Sequence, residues 1–381
     1  MGLSPVYITQ TASFFPNDPV PNEQMEEYLG YINKTPSKSK AIVLRNNGIK
    51  RRYYALTKEQ KFTHTNAEMA ALSVRKLFKS PEAMKEVELL SCGTSSPDQM
   101  MPSHGVMVHG YLPEIGAVEV VSPSGVCCAG MHAMKYGFLA VRAGDVNNAV
   151  VSGSERLSSS LISSTFEDEA QRLKELSDDP YISFDKEFLR WMLSDGAASF
   201  LLSNQPNKSG HSLRIDWIEG SSHANEIEAC MYMGCEKQKD GTLKSYHDYS
   251  SQELIEKSIL SIKQDVKLLG KNIVPLGGEG LKKALAKHGV KSEDISYFLP
   301  HMSSEFFKDK IYQRLIEIGL PIPYEKWFVN LSTVGNVGAA SAYLMVDELF
   351  HSGRLKKDDK VLLLVPESSR FSYMYALLTV C

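Results

Sequence analysis

Residues Ile115 to Glu155 read IGAVEVVSPSGVCCAGMHAMKYGFLAVRAGDVNNAVVSGSE. Val118 to Val121 is a β-branched run with strand character, and Ser122-Pro123-Ser124-Gly125 breaks it. Beyond Cys128, Met131, Met134, Phe138 and Val141 fall three or four apart, and Gly144 ends the pattern. Cys128 is therefore expected where a strand turns into the first turn of a helix. The unpaired amides and the dipole there favour an anion, which predicts a thiol that ionises more easily than a free one. The plain alternative is a cysteine chosen for its volume in a packed turn. Its neighbour Cys127 is expected to be a core residue.

The pattern returns near the C-terminus. Trp327 to Leu331 is an apolar run, Ser332-Thr333-Val334-Gly335 is the breaker, and Asn336 takes the place of Cys128. A helix of small and apolar residues is expected from about Val337 to His351. Both helices end in a Gly/Arg turn, and each leads to a new apolar run, Ala149 to Val151 and Val361 to Val365. A strand–turn–helix–strand unit repeated in each half predicts a duplicated fold. The halves are expected to divide at the Asn/Pro/Lys/Ser/Gly-rich stretch Ser203 to Gly210. Residues 1–207 then carry the cysteine, and residues 208–381 carry the histidine and asparagine introduced below.

With 381 residues, 43% apolar and 23% charged, the chain can bury a large core. A net charge of −3 gives no reason to expect nucleic acid. Lys50-Arg51-Arg52 is a short basic cluster, either a solvated loop or a docking point for phosphate or an acidic protein. The six cysteines show neither a disulfide framework nor zinc-like pairs. No secretory leader and no apolar run of membrane-spanning length is found, so a cytoplasmic protein is expected.

Strands alternate with helices along the chain, which predicts βαβ units and mostly parallel sheets covered on both faces. Glu167 to Asp179 is highly charged and reads as a surface insertion. Helical spacing is read over Ser251 to Leu269, Leu281 to His288 and Phe306 to Ile318, with a strand at Ile295 to Leu299 and another at Ala197 to Leu202.

Three residues stand at breaks between apolar runs and helices: Cys128, His301 in YFLPHMSSEF and Asn336 in STVGNVGAAS. Alone, His301 reads as a capping or core residue and Asn336 as a turn residue. In the order Cys, His, Asn they are far more specific. GTSSPD at Gly93 to Asp98, Cys128-Ala129-Gly130, Ser152 to Glu155 and Ser194 to Ala198 add to the pattern. So do Pro300-His301, Gly335-Asn336 and Gly353-Arg354-Leu355. Over nearly its whole length the chain resembles a type III ketoacyl synthase of the thiolase-fold superfamily.

The resemblance implies a homodimer of five-layered αβαβα subunits, with Cys128 as acyl acceptor and His301 and Asn336 as its partners. It implies thioester substrates carried on phosphopantetheine, on acyl carrier protein or coenzyme A, and no metal or other cofactor. The residue types suit this chemistry. A Cys128 thiolate would take the acyl group and split one hard step into two. His301 Nε2 and the Asn336 amide would donate to the second thioester's carbonyl as enolate charge builds. The backbone N–H of Cys128, with that of Ser369 in the loop Pro366 to Arg370, would form the oxyanion hole. Met101, in the loop before Pro102, falls where the family places a dimer loop reaching the partner's acyl tunnel. Simple interface packing is the alternative there.

Several positions depart from the family. Ile42, Asn46 and Phe306 stand where priming enzymes grip coenzyme A with a tryptophan and arginines, with Arg45 one place away. His301-Met302-Ser303-Ser304 replaces HQAN, and Pro366-Glu367-Ser368-Ser369-Arg370 replaces a glycine-rich loop. Carrier-bound substrates therefore fit better than acyl-CoA. With LRNNGIKRRYYAL at Leu44 to Leu56, these departures are similar to the ketosynthase–cyclases of dialkylresorcinol and stilbene biosynthesis. Those enzymes join a 3-ketoacyl thioester to an α,β-unsaturated or saturated acyl thioester and close a cyclohexanedione ring. Ring closure needs further proton handling, for which Glu155 and Glu367 are the accessory acid/base candidates. A capping carboxylate for Glu155 and a solvated loop charge for Glu367 are the plain alternatives.

Competing readings are a type III synthase priming by decarboxylative condensation with malonyl carrier protein, and an acyltransferase of the same fold. A chain-length-factor-like structural partner is disfavoured because it would lack the nucleophilic cysteine. A Cys127-Cys128 oxidoreductase is disfavoured by the strain of a disulfide between neighbours.

Overall fold

The computed structural model describes residues 3–37, 39–165 and 189–381. The charged stretch Glu167 to Asp179 lies outside the described residues. Nine strands form one sheet: β1 (Tyr7–Phe14), β2 (Leu89–Gly93), β3 (Glu119–Val121), β4 (Asn148–Glu155), β5 (Gly196–Ser203), β6 (Leu213–Ser222), β7 (Tyr297–Pro300), β8 (Lys360–Glu367) and β9 (Ser372–Val380). Their spatial order is β7-β8-β9-β6-β1-β5-β4-β2-β3.

The pairing repeats across the middle of this sheet. β2 runs parallel to β3 and β4, whereas β4–β5 and β5–β1 are antiparallel. In the other half β7 runs parallel to β8, and β8–β9 and β9–β6 are antiparallel. Only Tyr7↔Arg214 and Ile8↔Leu213 join β1 to β6. The two halves are thus two similar sheets touching at one corner.

The helices sort into layers by which faces they bury. α1 (Asn66–Arg75) and α2 (His104–Gly110) cover the outer face of the first half. A capping box between Thr65 and Glu68 starts α1 by satisfying two otherwise orphaned amides. α3 (Ala129–Ala143) and α6 (Ser341–His351) lie between the halves in contact with each other, α3 against β2, β4 and β5 and α6 against β1, β4, β5 and β7. α4 (Val266–Lys287) and α5 (Lys308–Glu317) cover the second half. The result is the expected αβαβα arrangement. On α3, Met131, Met134, Phe138 and Val141 are buried as their spacing predicts, and Gly144 ends the helix in the left-handed region at φ 76.

Four expectations change. The sheet is not mostly parallel: three of its pairings are parallel and five antiparallel, because β1, β5, β6 and β9 pair side by side without crossover helices. The Trp327 to Leu331 run makes a single parallel bridge, Phe298↔Trp327, and Leu331–Val334 is a short helix. Asn330 turns the chain there, its carbonyl accepting from the Thr333 hydroxyl. The Ser251 to Leu269 pattern is not one helix: Ser251–Glu256 is helical, the chain breaks where Ser258 adopts φ 45, and Val266 to Leu269 already belong to α4. Leu281 to His288 is the end of the 22-residue α4, which continues through Pro275. Proline withholds one helical N–H, and β9 supplies support nearby. The Tyr373 and Tyr375 hydroxyls donate to the carbonyls of Ile273 and Gly277.

At the centre the halves meet backbone to backbone. A Cβ on Gly130 of α3 would lie 2.2 Å from the Ala339 carbonyl oxygen, and one on Gly153 of β4 would lie 2.4 Å from it. Both contacts are with main chain, which cannot swing aside. Gly130→Ala should therefore cost about 1–3 kcal/mol or more, as overpacked cores do. The check is the urea midpoint, and an unchanged midpoint would mean the halves do not meet this closely.

Candidate active site

Cys128 is the N-cap of α3, buried, with its thiol donating to the Val365 carbonyl of β8 at 3.3 Å. His301 follows β7 directly and is anchored by its own amide, which donates to the Leu364 carbonyl at 2.8 Å. Asn336 is held by the chain segment beside it: its amide donates to Met192, and its carbonyl accepts from Ser194. The turn requires Gly335, at φ 75, where a Cβ would also lie 2.8 Å from that of Ser194. Asn336 Oδ1 accepts the Gly338 amide at 3.0 Å. This leaves Nδ2 without a partner among the described residues, free to donate into the cleft.

That cleft, counted together with the open solvent at its mouth, has about 990 Å3 of space, and His301 and Asn336 line it together with Val126 and Cys127. Its far wall is apolar and comes from α4 and α5, including Leu269, Ile273, Ile311 and Leu315. Cys127 is thus both buried, as expected, and part of the wall. Neither ring nitrogen of His301 has a protein partner among the described residues. Burial pulls its pKa down to about 4, so the ring is neutral and able to donate from one nitrogen at neutral pH.

The electrostatics of Cys128 differ from the expectation. The turn into α3 does hold an anion, but it is the Glu367 carboxylate at the end of β8, bound by amides that precede the helix. Oε2 accepts the amides of Val126 at 2.8 Å and of Cys128 at 3.0 Å, while Oε1 accepts the Ser369 hydroxyl at 2.8 Å. Burial first, and then the Glu367 charge, push the Cys128 thiol well above the ordinary thiol range. The Cys128 amide, expected to serve an oxyanion, is occupied in this state. Ser369 reaches the site through its hydroxyl.

The other candidates separate. Glu155 is fully buried behind the cleft, accepting from the Ser95 and Ala339 amides and the Ser95 and Ser96 hydroxyls. It bonds the loop after β2 to the turn before α6, the work of a structural carboxylate. Met101 is 86% exposed and away from the cleft lining, as is Met100 at 72%. Of the basic cluster, Lys50 and Arg51 are exposed. Arg52 is buried, donating to Asn22 and to the Trp191 carbonyl, so it cannot dock a partner. Among the described residues no group of histidine, cysteine and acidic side chains could hold a metal, and no helix is long and apolar enough to cross a membrane.

Comparison with known proteins points the same way. The family model described as 3-Oxoacyl-[acyl-carrier-protein (ACP)] synthase III C terminal matches residues 285–365. Beta-ketoacyl-[acyl-carrier-protein] synthase III of Clostridium perfringens is 25% identical over 355 residues, covering 92% of each chain. Among solved structures, AbyA1, a tetronic acid condensing enzyme, superposes with a TM-score of 0.74 at 17% identity, over 98% of this chain and 99% of its own. OleA of Xanthomonas campestris, solved with bound lauric acid and lauroyl-CoA, gives a TM-score of 0.72 at 17% identity over 98% and 99%. The fold is that of the ketoacyl synthase III structures.

Two measurements follow from the protonation states. Iodoacetamide labelling of Cys128 in the free enzyme should be slow at neutral pH and still rising at about pH 9, since the thiolate is the nucleophile. A plateau below about pH 8 would contradict the raised thiol. For His301, the unfolded chain protonates near the ordinary 6.5, whereas the folded protein stays neutral to about 4. Between those values the unfolded state binds more protons, so this contribution is lost as pH falls through the window. Wild type should lose stability relative to His301→Asn on acidification from about pH 7 to 5, read as the difference in urea midpoints.

Proposed function

We propose that this ketoacyl-synthase-III-like enzyme of the acyltransferase type is a ketosynthase–cyclase. It loads an α,β-unsaturated or saturated acyl group on Cys128 and condenses it with a 3-ketoacyl thioester toward a cyclohexanedione product. The supporting observation is the composition of the centre: a nucleophile, two neutral hydrogen-bond donors and a carboxylate beside a largely apolar cleft. Condensation driven by loss of carbon dioxide needs no base, whereas an enolate drawn from a 3-ketoacyl thioester does. The apolar walls from α4 and α5 suit an extended acyl chain, and lauric acid bound by the OleA neighbour is a ligand of that kind.

Acyl carrier protein is the proposed carrier, in keeping with the names of the sequence relatives. Ile42 and Phe306 are exposed and carry no charge to pair with the phosphates of coenzyme A. A homodimer through the open edge of β3 would cover the exposed Met100–Met101 loop, since an unpaired strand edge is a pairing surface. Six unpaired cysteines suit a reducing cytoplasm. The second reading, priming with malonyl carrier protein, is favoured by the synthase III names of those relatives.

The test offers purified enzyme an α,β-unsaturated acyl thioester with a 3-ketoacyl carrier protein and reads products by mass spectrometry. A cyclohexanedione carboxylate that is absent with Cys128→Ala is expected. Asn336→Ala should lower the rate about 10²- to 10³-fold, the usual loss for one oxyanion donor. A linear 3-ketoacyl product from malonyl carrier protein, with no cyclic product, would assign the enzyme to priming.

A further inference from the structure

We infer that Glu367 is the base that removes the α-proton of the second substrate, so that the carbon–carbon step proceeds without loss of carbon dioxide. This rests on the condensing reading above and adds to it the group that makes the enolate.

The position is built rather than incidental. Glu367 closes β8 and is paired with Ser372 of β9, so its backbone is fixed. Both lone-pair directions of Oε2 are taken by the Val126 and Cys128 amides. Among the described residues, Oε1 accepts only from the Ser369 hydroxyl, leaving one lone pair. Glu367 is 8% exposed and lies with Cys128 just behind the wall of the cleft, the two joined through the Cys128 amide, while Pro366 and Ser368 on either side of it line the cleft with His301 and Asn336. The remaining candidates for this role do not qualify. His301 is a poor base with its pKa near 4, and Glu155 is saturated by donors behind the wall. Oε1 of Glu367 is the unsaturated anionic atom at this centre.

The step balances without a further reagent. The α C–H bond of the bound thioester breaks, and its proton passes to Oε1. The electron pair becomes an enolate, with His301 and Asn336 Nδ2 donating to its oxygen. That pair then forms the bond to the carbonyl carbon of the Cys128 thioester, whose C–S bond breaks. The departing sulfur takes the proton from Glu367, restoring thiol and carboxylate together. The raised thiol fits this last transfer, because a sulfur beside a carboxylate holds its proton firmly.

The experiment compares two nucleophiles on one acyl-enzyme. Octanoyl-loaded enzyme receives 3-ketoacyl carrier protein or malonyl carrier protein, and the ratio of the two condensation rates is read. Glu367→Gln keeps the shape and should lower the ratio about 10²- to 10⁴-fold, the range of general-base catalysis. Glu367→Asp, which retains a carboxylate, should recover part of it. Loading of Cys128 in Glu367→Gln, followed by intact mass, should be faster than in wild type because the nearby charge is gone. A ratio unmoved by Glu367→Gln, whether both rates fall together or neither falls, overturns the assignment. If wild type gives no product from 3-ketoacyl carrier protein, the condensing reading above fails on its own. Deuterium uptake at the α-carbon of a bound octanoyl thioester then decides about Glu367. Uptake by wild type that Glu367→Gln abolishes sustains the base, and equal uptake by both overturns it.

Discussion

The active site depends on one close approach of two backbones. The Ala339 carbonyl lies against Gly130 and Gly153, and the Ala339 amide donates to Glu155. Residue 339 is therefore gripped from both ends by the first half of the molecule, although it belongs to the second. Gly130 lies in the first turn of the helix that Cys128 caps, and Ala339 follows Asn336 by three residues. Bringing these two backbones into contact sets the nucleophile and the amide donor at one place. A side chain at either glycine would move them apart, and catalysis of this kind is sensitive to displacements of about 1 Å.

Glu155 and Glu367 show how burial divides the roles of two carboxylates. Glu155 spends both oxygens on donors from each half and acts as a tie between them. Glu367 lies one strand end from the thiol, with its charge facing the nucleophile. An anion beside the N-terminus of α3, here on the Val126 and Cys128 amides, is favourable for the helix, but it opposes a second anion at Cys128. In its resting state the centre therefore keeps its negative charge on carboxylate oxygen and holds sulfur and imidazole neutral. An acyl group on Cys128 removes the conflict, because a thioester carries no charge.

Much of this was legible in the chain. The spacing of Met131, Met134, Phe138 and Val141 fixed a helix face, and the small residues around Cys128 and Asn336 marked the two turns that meet. The sign of the thiol shift was not legible. It depends on Glu367, which is 239 residues from Cys128, and no local pattern reports which anion will settle on a helix N-terminus. The polar PESSR loop signalled a difference at that place without saying what it touches. Trp327 to Leu331 misled for a related reason. An apolar run carries the same composition in an edge strand and in a bridged turn, and only the Asn330 hydrogen bonds decide between them.

The far wall of the cleft completes the physical picture. α4 carries a proline and several glycines, a composition that would weaken an isolated helix. It persists because tyrosine hydroxyls from β9 bond carbonyls on either side of Pro275, and because Leu269, Ile273, Leu281 and Leu285 are buried. Regular backbone is thus maintained by tertiary contacts. Gly277 and Gly278 line the cleft, and a Cβ at either would press against a neighbour, the Tyr373 ring at 3.0 Å or the Arg314 side chain at 2.9 Å. β9 therefore has two duties: it pairs with the strand that ends at Glu367, and its tyrosines support the helix lining the apolar cleft. The chemistry at one end of the cleft and the room for a chain at the other are set by the same strand.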